Sequence, residues 1–176
     1  MLSDSYSNLQ ILTQDAEAVR HAIHVCDIGS AKVLARPDVK WVSVYPFLTE
    51  DDYGYLKVIA EKIAGNLHVP VFGFIVPRAS EFRYALFQND HLQDEYHLTA
   101  GPSSLATTGG NIDLLLKLCA TKQSKTAIRQ ILQPGQLENY DRAGDRMAQQ
   151  FGELLAIPRA QLCTGYNHLK WAQAGR

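Results

Sequence analysis

Two runs of alternating side chains, separated by Asn89-Asp90, constrain the fold of this chain more than any other feature. In both runs an apolar side chain recurs at alternate positions, which is the period of a β-strand with one buried face. Asn and Asp also tolerate the backbone conformations of a tight turn. The apolar positions are Phe82, Tyr84, Leu86, Leu92, Tyr96 and Leu98. The sequence therefore predicts an antiparallel hairpin with strands at 82–88 and 92–98.

The other face of the second predicted strand is polar and carries His91, Glu95 and His97. Strict alternation predicts that these three side chains share one side of the sheet. Asp94 is the exception in the pattern, because it places a carboxylate on the apolar face.

The segment before the hairpin predicts a crossover of strand, helix and strand. Residues 40–45 are rich in β-branched and aromatic side chains, which favours a strand. Residues 50–66 have an apolar stripe at the helical period, with Thr49 as the expected N-cap. The almost wholly apolar segment 69–76 is typical of a strand buried on both faces. The stripe consists of Leu56, Ala60, Ile63 and Leu67.

In two segments the apolar residues follow neither the helical nor the strand period. Residues 1–12 are polar and irregular, so we expect a loose arm there, and the small polar residues of 99–110 predict a flexible loop. Beyond this loop the pattern is helical, with Asn111 as a cap for the first of several C-terminal helices.

Together these features predict one α+β domain over residues 1–176, with a mixed or antiparallel sheet of four to five strands. Its β-α-β-β-β core is followed by C-terminal helices.

Composition excludes some classes of protein. The 176 residues have a net charge of −1 and no long run of Lys or Arg, so we expect no nucleic-acid partner. No apolar stretch approaches the roughly 20 residues that a membrane helix needs. There is no secretory signal pattern at the start. The three cysteines are odd in number and far apart, which fits thiols in the cytoplasm better than disulfides.

The polar hairpin face is the candidate ligand site, with His91, Glu95 and His97 as its residues. Residues two apart on one face are about 6.5 to 7 Å apart along a strand, so Glu95 and His97 could share an ion and His91 could not. Two ligands do not make a metal site, so we expect no metal and no cofactor. The alternative interpretation is a solvated sheet face.

Three functions remain open at this stage. The leading hypothesis is a small, cytoplasmic, non-enzymatic interaction or regulatory module that binds a protein partner or self-associates as a homodimer. The first alternative is a small-molecule-binding protein or a metal-assisted hydrolytic enzyme that uses the 91–97 hairpin face and the 99–110 loop. The second is a DNA-binding regulator that uses the tail 141–169, in which Arg159, Gln161 and Asn167 would face the bases.

Overall fold

A computed structural model of the protein describes residues 5–47, 49–135, 139–167 and 169. These residues form an α+β fold around one sheet of seven strands, in which every neighbouring pair is antiparallel. The sheet therefore exceeds the predicted four to five strands. The strands are β1 (Tyr6–Leu12), β2 (Ala31–Leu34), β3 (Trp41–Pro46), β4 (Val71–Val76), β5 (Glu81–Gln88), β6 (His91–Gly101) and β7 (Ser104–Gly109).

Six helices accompany the sheet in the described part of the chain. Two of them lie in the first half, and four follow β7, as the sequence predicted for the C-terminal segment. The helices are α1 (Ala16–Val25), α2 (Tyr53–Leu67), α3 (Ile112–Leu118), α4 (Lys125–Leu132), α5 (Ala143–Leu155) and α6 (Arg159–Leu162).

The first six elements have the topology of a split β-α-β, or ferredoxin-like, unit. The sheet order is β2-β3-β1-β4-β5-β6-β7, so the first four strands have the order 2-3-1-4. Strands β3 and β4 are both antiparallel to β1, which lies between them, and they therefore run parallel to each other. The predicted crossover thus exists, but it passes over one intervening strand. Strands β5 to β7 extend the sheet beyond β4.

The expectation of a loose arm at residues 1–12 is wrong for the residues that the structure describes. Tyr6–Leu12 form β1 in the centre of the sheet, while residues 1–4 lie outside the described part of the chain. The polar side chains of β1 are buried and have specific partners. Asn8 Nδ2 donates to the Leu162 carbonyl at 2.7 Å, and the Ser7 hydroxyl lies 2.7 Å from that of Thr49. These partners are distant in sequence, which is why the segment looked solvated.

The expectation of a flexible loop at 99–110 is also wrong. Strand β6 continues to Gly101, and Ser104–Gly109 return along it as β7. Only one side of β7 packs against other elements, through Leu105. A strand with one open face needs few apolar residues, so its composition resembled that of a loop.

Two apolar layers cover opposite faces of the sheet. Helices α1 and α2 bury aliphatic side chains on one face, including Leu9, Val44 and Leu56. Helices α3 to α6 cover the other face, where Phe151 of α5 lies 5.1 Å from the ring of Tyr84 and 5.3 Å from that of Phe82, measured between centroids.

The hairpin at Asn89-Asp90 is present, and both residues have the left-handed backbone that the sequence predicted, with φ of 55° and 78°. Its register contains one irregularity. Leu86 is opposite Asp94 and Phe87 is opposite Leu92, which leaves Gln93 without a partner. An extra residue in one strand reverses the direction of the side chains beyond it.

Candidate functional site

An open cleft of about 500 Å³ lies between α2 and the sheet face of β5 to β7. It exists because α2 packs on β4 and β5 and reaches little of β6. Its lining is mostly polar and comes from four elements. The lining residues are Tyr53, Lys57, Arg83, Glu95, Tyr96, His97, Thr108 and Gly109.

Two ion pairs cross this cleft and its rim. Lys57 Nζ of α2 lies 3.1 Å from Glu95 Oε1 of β6, and the two side chains are 34% and 40% exposed. Arg83 Nη2 of β5 lies 3.3 Å from Glu81 Oε2. The exposed Arg78 also lies 3.9 Å from Glu81, so Arg83 shares this carboxylate with a second cation. An ion pair as accessible to water as Lys57–Glu95 contributes little to stability, about 0 to 1 kcal/mol, so it can exchange partners at low cost.

His97 is held in one tautomer. Arg83 Nε donates to His97 Nε2 at 3.1 Å, and the Thr99 hydroxyl lies 2.9 Å from the same nitrogen. Because Nε2 accepts a hydrogen bond from a guanidinium, it carries no proton, and the neutral ring has its N–H at Nδ1. Burial and the positive charge of Arg83 both lower the pKa of His97. The imidazole is therefore a neutral donor.

Tyr53 occupies the centre of this charge arrangement. Its ring centroid lies 5.2 Å from Lys57 Nζ and 5.7 Å from Arg83 Cζ, which places two cations beside one aromatic ring. Its hydroxyl is shielded from solvent and has no hydrogen-bond partner among the residues that the structure describes. Burial, and then the negative charge of Glu95, raise the pKa of Tyr53 well above its usual range. The phenol is therefore protonated, and the Glu95 carboxylate lies near it without a hydrogen bond of ordinary geometry.

The structure separates the three residues that the sequence placed together. The bulge at Gln93 puts His91 opposite Gln88, on the other side of the sheet from Glu95 and His97. His91 is exposed in the turn, with Nδ1 2.6 Å from Asp90 Oδ1. The prediction that His91 shares a face with Glu95 and His97 is wrong because it assumed an uninterrupted pairing of the two strands.

Glu95 and His97 do face the same cleft, and their partners come from other elements. Lys57 and Tyr53 lie on α2, about 40 residues earlier, and no local pattern links them to the hairpin. Within the described ranges, no group of three or more His, Cys, Asp or Glu side chains is arranged to hold a metal ion.

The tail considered for DNA binding has a different arrangement. Helix α6 is four residues long, and Gln161 within it is only 1% exposed. Asn167 donates to Glu50 through its backbone N–H and its side chain, at 3.2 and 2.6 Å. Residue 168 of this segment lies outside the described residues. The buried Gln161 is not available to base edges.

No protein-family model matches the chain, and no similar curated protein or solved structure was found. Among the helices that the structure describes, none combines the length and apolar composition required for a bilayer crossing. The chemistry of the cleft is therefore the main guide to function. Its lining includes the Lys57 ammonium, the Tyr53 side chain and the neutral His97 ring, beside the Glu95 carboxylate.

Proposed function

We propose that this protein is a non-enzymatic regulatory module that binds a small polar ligand in the cleft between α2 and strands β5 to β7. The observation that carries the proposal is the Tyr53 hydroxyl, which is buried without a partner among the described residues. A buried hydroxyl without a partner costs free energy, about 1 to 3 kcal/mol. A ligand that accepts its hydrogen bond would recover part of this cost.

The arrangement of the cleft favours binding over catalysis. A general base needs a free lone pair, and the Nε2 lone pair of His97 already accepts from Arg83. The Glu95 carboxylate is neutralised by Lys57. Both groups are thus suited to position a ligand and are poorly placed to remove a proton from one.

A cytoplasmic location is part of the proposal. Cys26, Cys119 and Cys163 are all free thiols. Unpaired cysteines are typical of proteins in a reducing compartment.

The test compares two Tyr→Phe substitutions two residues apart on α2. Tyr53→Phe removes the unpartnered hydroxyl, so we expect it to raise the stability of the ligand-free protein by about 1 kcal/mol. We also expect it to weaken binding of fragments by about tenfold, the loss of one hydrogen bond of ordinary strength. Tyr55→Phe is the control, because Tyr55 is exposed and lies outside the cleft.

Binding is measured by NMR titration of isotope-labelled protein with small polar aromatic fragments, and stability by urea unfolding. Amide shifts at Arg83, Glu95 and Thr108 are expected. The proposal fails if no fragment perturbs these amides, or if Tyr53→Phe lowers stability while Tyr55→Phe does not.

A protein-interaction surface is the second candidate function. Tyr55 and Val58 lie three residues apart on the outer side of α2 and are 38% and 43% exposed. Neighbouring exposed apolar side chains on one helix face are typical of contact surfaces. If this face joins two copies of the chain, sedimentation velocity should detect a dimer that the double variant Tyr55→Ser and Val58→Ser lacks. A monomer at all concentrations would exclude self-association.

A further inference from the structure

The Lys57–Glu95 ion pair resembles a ligand contact made within the chain. Glu95 Oε1 lies 3.1 Å from Lys57 Nζ inside the cleft, and the Tyr53 ring lies beside the same ammonium group. Glu95 therefore occupies the position at which an external carboxylate would meet Lys57. Both side chains are partly exposed, so water could solvate Glu95 after its displacement.

The charge balance of the cleft limits which anion can enter. Lys57 is balanced by Glu95, while Arg83 shares Glu81 with the exposed Arg78. A monoanion that replaces Glu95 beside Lys57 exchanges one negative charge for another. A dianion such as a phosphate monoester would add a second negative charge, which Arg83 could balance only by leaving Glu81.

Two hydrogen-bond donors beside Lys57 fit a carboxylate acceptor. The hydroxyl of Tyr53 makes no hydrogen bond of ordinary geometry among the described residues, although Glu95 lies near it, and burial keeps it protonated. Arg83 donates through Nε and Nη2 to His97 and Glu81, which leaves its Nη1 group without a hydrogen bond in the described structure. A planar carboxylate accepts from two or three donors at once.

We propose that the ligand of this cleft is a small aromatic or other planar monocarboxylate, whose carboxylate displaces Glu95 from Lys57 and accepts from Tyr53. This inference rests on the proposed function, since it names the ligand class of the same cleft. The aromatic ring of Tyr53 in the lining favours a planar body next to the carboxylate. Displacement of Glu95 would release β6 from its ionic contact with α2.

The experiment is an NMR titration of the full chain with four matched probes: benzoate, benzamide, benzylamine and phenyl phosphate. Benzoate is expected to bind at least fivefold more tightly than the other three, with shifts at Lys57, Glu95 and Tyr53. Glu95→Gln removes the competing carboxylate, so it should tighten benzoate binding about threefold, as expected for the loss of a weak exposed ion pair.

Substitutions of Lys57 test the same contact from the opposite side. Lys57→Gln should weaken benzoate binding at least tenfold, whereas Lys57→Arg should retain it, because the positive charge remains. Glu61→Gln is the matched control for Glu95→Gln, since Glu61 is an exposed acid on α2 outside the cleft. It should change the affinity by less than twofold. Circular dichroism confirms that each variant is folded.

The outcomes separate this inference from the proposed function. If benzamide, benzylamine or phenyl phosphate binds the cleft more tightly than benzoate, the cleft is a ligand site but the monocarboxylate assignment is wrong. Weaker benzoate binding in Glu95→Gln would also overturn the displacement. If none of the probes, and no other fragment, perturbs the cleft amides, both proposals fail.

Discussion

Asp94 offers a quantitative test of how this fold satisfies a buried hydroxyl. It is the carboxylate that interrupts the apolar face of β6. Its Oδ2 accepts from the Tyr84 hydroxyl at 2.6 Å and from the backbone N–H of Asn111, at the start of α3, at 2.7 Å. Tyr84 is completely buried. Asp94 therefore joins the aromatic core to the first helix of the covering layer.

The expected cost of Asp94→Ala follows from these two contacts. The Tyr84 hydroxyl would be left buried without an acceptor, which costs about 1 to 3 kcal/mol. The N–H of Asn111 lies near solvent, so its lost bond adds about 0.5 to 1.5 kcal/mol. We therefore expect the free energy of unfolding to fall by about 2 to 4 kcal/mol, a large part of the 5 to 15 kcal/mol typical of domains.

Tyr84→Phe should cost less, about 0.5 to 1.5 kcal/mol. It removes the hydroxyl donor together with the penalty for burying it, and Asp94 still accepts the hydrogen bond from the Asn111 N–H. Adding Tyr84→Phe to Asp94→Ala should then restore about 1 kcal/mol, since no unpartnered hydroxyl remains. Urea unfolding of the two single variants and the double variant measures these differences, with Glu61→Ala as a surface control. A double variant less stable than Asp94→Ala alone would refute the reasoning.

Three further predictions concern the core, the cleft rim and the histidine. Phe151→Ala should lower the free energy of unfolding by about 3 to 5 kcal/mol, because this fully buried ring contacts several other aromatic rings. Thermal unfolding measures the change in stability. A loss below about 1 kcal/mol would contradict the packing. Gly109→Ala should destabilise the protein, since φ is +77° and a Cβ would collide with a carbonyl oxygen of β6. Gly135→Ala should be tolerated, because a Cβ there meets no atom of the described residues within 4 Å. Equal melting temperatures of the two variants would exclude this difference. An NMR titration should place the pKa of His97 below 6.5, and Arg83→Gln should raise it. Because the pKa of His97 is lower in the folded state, the stability linked to His97 is present above pH 6.5 and is lost as the pH falls through the folded-state pKa. An unchanged pKa of His97 in Arg83→Gln would exclude Arg83 as a cause of the shift.

The parts of the fold that the sequence predicted are those in which local spacing reports burial. Helix α2 buries Leu56, Ala60 and Ile63, as its stripe indicated, and both turn residues of the hairpin adopt the left-handed backbone. The start of the helix was misplaced. Asp52 caps it by accepting from the Tyr55 N–H, while the Thr49 hydroxyl lies beside that of Ser7 in β1.

The sequence failed wherever distant contacts decide the structure. In β1, Gln10 is fully buried and satisfied by Asn8 and Ser43, and nothing in the local sequence distinguishes such a polar strand from a solvated arm. In β7, one face of the strand is exposed to solvent, so its sequence does not need apolar residues at alternate positions.

The candidate site was predictable only in part, for the same reason. Glu95 and His97 lie on one face of β6, as alternation predicted, whereas the prediction that His91 shares this face is wrong because of the bulge at Gln93, which composition does not reveal. The α2 residues Tyr53 and Lys57 enter the site through tertiary packing alone.

The order of elements along the chain has a consequence for biosynthesis. The last strand of the sheet ends at Gly109, but the side chains that cover its aromatic face, from Leu115 to Leu162, are all translated later. Because nascent chains fold from the N-terminus as they leave the ribosome, the ring of Phe151 reaches the sheet only after α5 has been translated. Until then the emerging protein displays an uncovered aromatic surface, the kind of surface that chaperones bind and that promotes aggregation when translation stalls.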